Sequence, residues 1–363
     1  MGTNNIRTIG VSTGGGDAPG LNAVIRGLVK SSVDDYGWRV IGVTNGFDGL
    51  IWPEQCREIR LDDVSGILPR GGTILGTTNR GNPFKYLVEE GGQTVEKDFS
   101  PQCMANMHRL RMDAMVVIGG DGTLSIANDF HRMGMPVVGV PKTIDNDLSA
   151  TEVTFGFDTA LQSATDALDR LHTTAESHHR VMVLELMGRD AGWIALHAGI
   201  AGGAHVILIP EVPFTIGNIC EKIHQREMLG KKFSLIVVAE GVKLPATDVA
   251  GKPIPPAKPG QVGNTIAYSI RDAIKKDVRV TVLGHIQRGG SPSPFDRILA
   301  TRFGVAAADC VARGDFGKMV CLRAGEIIAV PLQEAIGVYK TVNLDSDIVR
   351  AARGVGISFG DQV

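Results

Sequence analysis

Three aspartates and a lysine, held in two short glycine- or hydroxyl-bearing segments, are the residues of this chain best placed to do chemistry. Asp121 lies in Gly119, Gly120, Asp121, Gly122, Thr123; Lys142, Asp145 and Asp147 lie in Pro141, Lys142, Thr143, Ile144, Asp145, Asn146, Asp147. Carboxylates can hold a divalent cation or take a proton, and an ammonium and a hydroxyl can steady a phosphate. Glycines let main-chain N–H groups approach an anion closely. One segment offers glycines and a carboxylate, the other a hydroxyl, an ammonium and two more carboxylates. Together they suit a polyphosphate and its metal.

Each segment ends a short, β-branched apolar run, residues 115–118 and 136–140, of the kind that forms buried parallel strands. Such sheets keep their chemistry in the loops at strand ends, so the two segments are expected side by side. The same arrangement recurs along the chain. A strand over 6–13 runs into Gly14, Gly15, Gly16 and Asp17 and then a helix, the geometry in which a glycine turn and a helix start receive a phosphate. Glycine there is also what a tight turn needs, so this turn alone identifies nothing. Residues 71–83, rich in Gly and Thr, carry the single Arg80. An amphipathic helix over 157–177 leads to His178, His179 and Arg180, and the strand 181–186 ends in Met187, Gly188, Arg189 and Asp190. The histidine pair has no partner at metal-ligand spacing and reads as a surface pair.

Further strands over 205–209 and 233–239 follow, the latter ending in Glu240 and Gly241. Five prolines between 243 and 260 mark an excursion without regular structure. A helix over 266–275 precedes Arg279, a strand over 280–283, and the turn Gly284, His285, Ile286, Gln287, Arg288. After a packing helix over 295–313 the chain reads as closing pieces. Asp121, Asp145, Asp147, Arg80, Arg180, Arg189, Glu240, Arg279, His285 and Arg288 thus gather, on this reading, at C-terminal strand ends. Each alone is an ordinary solvated charge. Jointly they form what phosphoryl transfer needs: carboxylates for a metal, cations for phosphates and a base for the attacking hydroxyl.

Bulk properties agree. A chain of 363 residues is long for one core and predicts two closely joined α/β lobes. A net charge of -2 argues against an electrostatic footprint for nucleic acid. The five cysteines are scattered, odd in number and without metal spacing, as expected of reduced thiols in a cytosolic protein. The chain opens on a strand instead of a charged leader, and no stretch is long and apolar enough for a membrane span. A soluble cytoplasmic protein, with neither nucleic acid nor membrane as partner, is the expectation.

Five ordered motifs give a specific resemblance. Residues 13–22 (TGGGDAPGLN), 119–123 (GGDGT), 141–147 (PKTIDND), 187–192 (MGRDAG) and 283–296 (LGHIQRGGSPSPFD) resemble the phosphofructokinases of glycolysis, in the same order and over nearly the whole chain. GGDGT alone also occurs in lipid and NAD kinases, but those need neither the HIQR turn nor TIDND. A sugar-phosphate sensor without activity would be expected to lack the base or metal carboxylates, and all three are present.

The resemblance implies an α/β fold of two Rossmann-like lobes with mostly parallel sheets. Residues 1–150, with a return from the C-terminus, would bind ATP and Mg²⁺; 151–310 would bind fructose 6-phosphate; 311–363 would close the structure. Asp145 would be the base for the sugar's 1-hydroxyl, with Thr143 beside the transferred group and Arg189 steadying its charge. Asp121 would hold Mg²⁺ with Asp147 in support. Gly15, Arg80, Gly81, Gly120, Asp121, Gly122 and Thr123 would contact the donor's phosphates.

Thr143, Ile144 and Asp145, with Met187, Gly188, Arg189 and Glu240, would meet the sugar, and the turn His285, Ile286, Gln287, Arg288 would grip its 6-phosphate. Arg180 and Arg279 would reach that phosphate from a neighbouring subunit, making a homodimer the minimum and a homotetramer the family expectation. Two positions discriminate donors in such enzymes. Gly122 is the residue of ATP users and leaves room for the α-phosphate and nucleoside, whereas Lys142 is usual in pyrophosphate users. A blocked pocket excludes ATP more firmly than an added cation does, so the sequence favours ATP, with pyrophosphate as the alternative donor. Basic residues Arg26, Lys30, Lys231 and Lys232 fall where effector contacts lie in bacterial relatives, but His172 stands where an arginine is expected.

Overall fold

The computed structural model describes residues 6–79 and 81–362. The strands among them, in chain order, are β1 (Thr8–Thr13), β2 (Arg39–Val43), β3 (Arg57–Ile59), β4 (Tyr86–Glu90), β5 (Gln93–Lys97), β6 (Ala114–Gly119), β7 (Val137–Pro141), β8 (Val181–Leu186), β9 (Val206–Leu208), β10 (Ser234–Ala239), β11 (Val278–Val282), β12 (Lys318–Arg323) and β13 (Glu326–Pro331). The chain divides into two compact units, Met1–Ile144 with Leu148–Asp158 and Arg288–Tyr339, and Asp145–Asp147 with Thr159–Gln287 and Lys340–Val363. No helix of the described residues is long and apolar enough to cross a membrane.

The first unit is built on a seven-stranded sheet of order β13-β12-β7-β6-β1-β2-β3. It is parallel from β12 to β2 and antiparallel at both edges, where β13 and β3 pair. Alternate residues of β6 face opposite sides, as the two-residue period of a strand requires. Val116 and Ile118 pack in a core with Ile9, Val11 and the buried faces of the helices Leu21–Asp34 and Pro294–Arg313. Met115 and Val117 pack in a second core with Cys103, Met107, Ala127 and Phe130 of the helices Ser100–Arg109 and Asp121–Arg132. A sheet covered on both faces is why β6 reads as one continuous apolar run.

Three pieces of this unit differ from the sequence reading. The irregular region after β2 contains β3, and residues 86–97 form the hairpin β4–β5. The closing pieces contain β12 and β13, which extend the main sheet past β7. β13 is an edge strand that alternates exposed and half-buried residues, and β12, though interior, offers only a short apolar centre between charged ends, so neither shows the signature of β6 and β7 as plainly.

The second unit holds a four-stranded, wholly parallel sheet of order β11-β8-β10-β9. The helices Trp193–Ala201, Ile216–Met228 and Val262–Ile274 belong to it. Near the C-terminus Ser358 pairs beside β9: its carbonyl accepts from Ile207 N–H (2.9 Å) and its N–H donates to His205 (3.1 Å). The proline-rich stretch is an excursion as expected, pinned by a bridge between Thr247 and Pro253.

Candidate active site

In the first unit the first opening segment neighbours the start of the second, Pro141 and Lys142. β6 and β7 run parallel with Gly119 opposite Pro141, and Lys142 N–H donates to Gly119 O (2.9 Å). Asp121, Gly122 and Thr123 are not a free loop: they make the first turn of the helix Asp121–Arg132, whose first internal bond is Leu124 N–H to Gly120 O (3.0 Å). Their own N–H groups therefore have no acceptor within the helix, and the helix dipole adds partial positive charge there. Thr123 packs so closely on the strand ends that a Cβ at Gly119 would lie 2.3 Å from it and one at Gly14 2.7 Å. A Cβ at Gly122 would meet nothing within 4 Å, so this glycine borders open space.

The glycine turn after β1 is laced to its surroundings by main-chain bonds. Gly14 N–H donates to Ile118 O (2.9 Å), Gly15 N–H to Thr78 O (3.1 Å), and Thr77 Oγ1 to Gly15 O (2.5 Å). The ammonium of Lys142, a side chain only 3% exposed, donates to Gly16 O. Arg288 also closes on this turn, its Nη1 donating to Asp17 O (3.1 Å). Gly81 abuts the carboxylate of Asp48. Arg80 lies outside the described residues.

Asp121 has its Oδ1 held by Gly337 N–H (2.8 Å) and its Oδ2 within 3.5 Å of the Tyr339 hydroxyl. No three His, Cys, Asp or Glu side chains of the described residues converge into a metal-binding cluster. Mg²⁺ that arrives on phosphate oxygens needs only one or two protein carboxylates and keeps its waters, so the hard oxygens of Asp121 at the head of a helix fit that ion. Thr143 and Ile144 are buried, and the Thr143 carbonyl accepts from the Thr154 hydroxyl (2.7 Å).

In the second unit Asp145, Asn146 and Asp147 are 2%, 4% and 5% exposed, and Asn146 adopts a left-handed φ of 53°. Lys340 N–H donates to Asp147 O (2.8 Å). The ends of β8, β10 and β11 form a cavity of about 140 Å³ lined by Glu185, Met187, Glu240, Gly260, Gly284 and His285, among others. Arg189, at φ 51°, is tied there by its N–H to Glu240 Oε1 (3.3 Å). Its carbonyl lies 1.8 Å from where a Cβ on Gly241 would be, so Gly241 is required for the two strand ends to meet. Gln287, fully buried, accepts from Met187 N–H (3.2 Å) and anchors the HIQR turn, while Ile286 points outward at 68% exposure.

Two residues sit elsewhere than the sequence reading placed them. Arg180 precedes β8 and Arg279 is the second residue of β11, opposite Met182. Both thus lie at the N-terminal ends of these strands, away from Met187, Glu240 and His285 at the C-terminal ends. They share Asp277, at 2.6 Å from Arg180 Nε and 3.1 Å from Arg279 Nε.

Comparison with known proteins agrees with this geometry. A family profile described as Phosphofructokinase matches residues 8–311. A Chloroflexus aggregans protein named ATP-dependent 6-phosphofructokinase is 53% identical over 355 residues, covering 98% of either chain. The chain belongs to the phosphofructokinase family. The crystal structure of Pichia pastoris phosphofructokinase matches 97% of this chain with a TM-score of 0.77 at 30% identity; the chain spans 37% of that larger one. The pyrophosphate-dependent phosphofructokinase of Marinobacter aquaeolei gives a TM-score of 0.79 at 21% identity, over 97% of this chain and 92% of its own. That last likeness is one of fold, and says nothing of the donor.

Within this phosphofructokinase framework the sequence reading missed Glu185. It is 1% exposed as the penultimate residue of β8, with Oε1 accepting from Gly260 N–H (2.6 Å) and Oε2 from Gly263 N–H (2.8 Å). It therefore fastens the exit of the proline excursion and the start of the helix Val262–Ile274 beside the cavity. One carboxylate in an otherwise apolar strand was a readable signal, because a charge is buried only where it is paired or hydrogen-bonded.

Proposed function

We propose that this chain transfers the terminal phosphoryl group of ATP to the 1-hydroxyl of fructose 6-phosphate, giving fructose 1,6-bisphosphate and ADP in glycolysis. The observation that carries this reading is near-full-length kinship, at about half identity, with relatives named for that ATP-dependent reaction. The first unit would take the donor. The N–H groups of Asp121, Gly122 and Thr123, which have no acceptor within the helix, the Gly15 turn, Gly120, Arg80 and Gly81 would hold its phosphates, and the open space at Gly122 suits a nucleotide. Lys142 does not oppose the same donor. Its ammonium is engaged by the Gly16 carbonyl, so its charge serves the glycine turn and need not mark a pyrophosphate site.

The second unit would take the sugar phosphate. Met187, Gly188 and Glu240 would contact the sugar, with the HIQR turn on its 6-phosphate. Asp145 would remove the proton as the 1-hydroxyl oxygen attacks, Thr143 would hydrogen-bond the group in flight, and Arg189 would balance its charge. Mg²⁺, held by Asp121 with support from Asp147, would neutralise phosphate charge as it develops. Arg180 and Arg279, at the far strand ends, would serve the 6-phosphate of a neighbouring subunit, making the protein a homo-oligomer, a homotetramer on the family pattern. A cytoplasmic location follows from this role.

The test is a coupled assay of bisphosphate formation with Mg²⁺ and ATP for wild type and Asp145→Asn. The variant removes a group acting mainly in the transition state, so kcat should fall by roughly 10²-fold or more with KM little changed. A near-normal rate in the variant would exclude Asp145 as the base.

A further inference from the structure

Residues 337–342 have no role in the scheme above, yet they contact both carboxylate segments. In the first unit Gly337 N–H and the Tyr339 hydroxyl approach the two oxygens of Asp121 at 2.8 and 3.5 Å. In the second unit Lys340, the next residue, holds the Asp145–Asp147 loop twice. Its main-chain N–H donates to Asp147 O (2.8 Å) and its ammonium donates to Asn146 Oδ1 (3.0 Å).

Lys340 is itself fixed from the other side. The Trp193 indole N–H donates to its carbonyl (2.6 Å), and its ammonium lies 5.5 Å from the centroid of the Trp193 ring. Two residues on, Val342 N–H donates to Glu211 Oε1 (2.8 Å), the same oxygen that accepts from Gly192 N–H (3.0 Å). The strap is thereby tied to the start of the helix Trp193–Ala201 of the second unit.

What the strap holds needs holding. Asn146 stands between Asp145 and Asp147 in the left-handed region, φ 53°, and all three are buried. Such a conformation is strained for most residues with a side chain, less so for asparagine, and persists where surrounding contacts over-determine it. Lys340 supplies one contact to the Asn146 side chain and another to the peptide carbonyl after it. These fix the chain on the C-terminal side of Asp145, and so the direction of its carboxylate. We propose that Lys340 is a positioning residue: a brace that keeps the Asp145–Asn146–Asp147 loop in its reactive conformation. The proposal builds on Asp145 as the base.

The test uses the full chain and three variants, Lys340→Met, Lys340→Arg and Asn146→Gly. Lys340→Met keeps the stem and the main-chain bond but loses the ammonium; Asn146→Gly relieves the left-handed φ and loses the acceptor. In the substrate-free protein, amide exchange over residues 145–148 should rise in Lys340→Met and return towards wild type in Lys340→Arg. This readout does not require turnover, so the brace can be judged even if the proposed reaction fails. With substrates, Lys340→Met should lose about 10- to 100-fold in kcat, the scale of a small misplacement of a reacting group, with both KM values within about twofold. The double variant with Asn146→Gly should be no worse than the poorer single, since both remove one interaction. Unchanged exchange and kcat in Lys340→Met, or losses that multiply in the double variant, would overturn the proposal. Should Lys340→Met fold poorly, a further variant, Asn146→Ala, decides, since it loses the acceptor and keeps a side chain at the left-handed φ: unaltered exchange and kcat there overturn the proposal equally.

Discussion

Replacing Glu185 should loosen the second unit and weaken its grip on the sugar phosphate. The carboxylate is 1% exposed and accepts two main-chain N–H bonds at 2.6 and 2.8 Å. In Glu185→Ala both bonds go. Hydrogen bonds to a charged group contribute about 1.5–3 kcal/mol each, and an unsatisfied buried N–H costs about 1–3 kcal/mol. Gly260 borders the cavity, so water can replace one partner there; Gly263 is buried and cannot be served as easily. The loss of a negative charge at the head of the helix Val262–Ile274 adds a few tenths of a kcal/mol or more. The sum is about 3–5 kcal/mol, a large share of the 5–15 kcal/mol of an ordinary domain. Glu185→Gln keeps one acceptor oxygen but turns an amide donor towards the second N–H, so about half of that loss is expected. Urea unfolding followed by the fluorescence of Trp193, the tryptophan of the second unit, in a background with Trp38 and Trp52 replaced by Phe, should shift to lower denaturant in the order wild type, Gln, Ala. KM for fructose 6-phosphate should rise in the same order, because Gly260 lines the cavity. An Ala variant with wild-type midpoint and KM would refute the reasoning.

Lys142→Met should raise KM for ATP several-fold by freeing the Gly16 carbonyl and slackening the glycine turn, without conferring use of pyrophosphate; an unchanged KM would show the contact to be idle. Gly122→Asp places a carboxylate in open space, so folding should survive. Repulsion of a phosphate about 4 Å away, about 1–4 kcal/mol, should weaken ATP binding by fivefold or more, read by titration calorimetry. Acid should destabilise the second unit through His205. Burial pushes its imidazole down to about 3, with Arg226 adding to the shift, while its Nδ1 accepts from Leu235 N–H (2.9 Å). The unfolded residue titrates near 6.5, so between these values the unfolded chain binds more protons. The contribution is complete above about pH 6.5 and is lost as pH falls towards 3, at about 1.4 kcal/mol per unit. His205→Gln should flatten that part of the stability profile, and parallel profiles would contradict the assignment.

How much was legible beforehand follows from burial. β6 and β7 announced themselves because a sheet covered on both faces demands continuous apolar strands, and their C-terminal loops carried Asp121 and Asp145 in plain view. β13 did not, because an edge strand tolerates polar residues, and β12 offers only four buried residues between charged ends. Grouping Arg180 and Arg279 with the C-terminal strand ends follows from their charge alone; Arg180 precedes β8 and Arg279 is the second residue of β11, so their places in the chain put both at the opposite edge. Gly241 gave no hint of why it is glycine, since the atom it must avoid is the carbonyl of Arg189, brought near only by the pairing of β8 with β10. Lys340 lay wholly out of reach: its partners Asn146, Asp147 and Trp193 are far away in sequence.

The most direct measurement is phosphorus NMR of the wild-type protein with Mg²⁺, fructose 6-phosphate and equal amounts of ATP and pyrophosphate. The account predicts that ATP converts to ADP one-for-one with the appearance of fructose 1,6-bisphosphate, while the pyrophosphate signal stays. Consumption of pyrophosphate to orthophosphate and the bisphosphate, with ATP untouched, would contradict it.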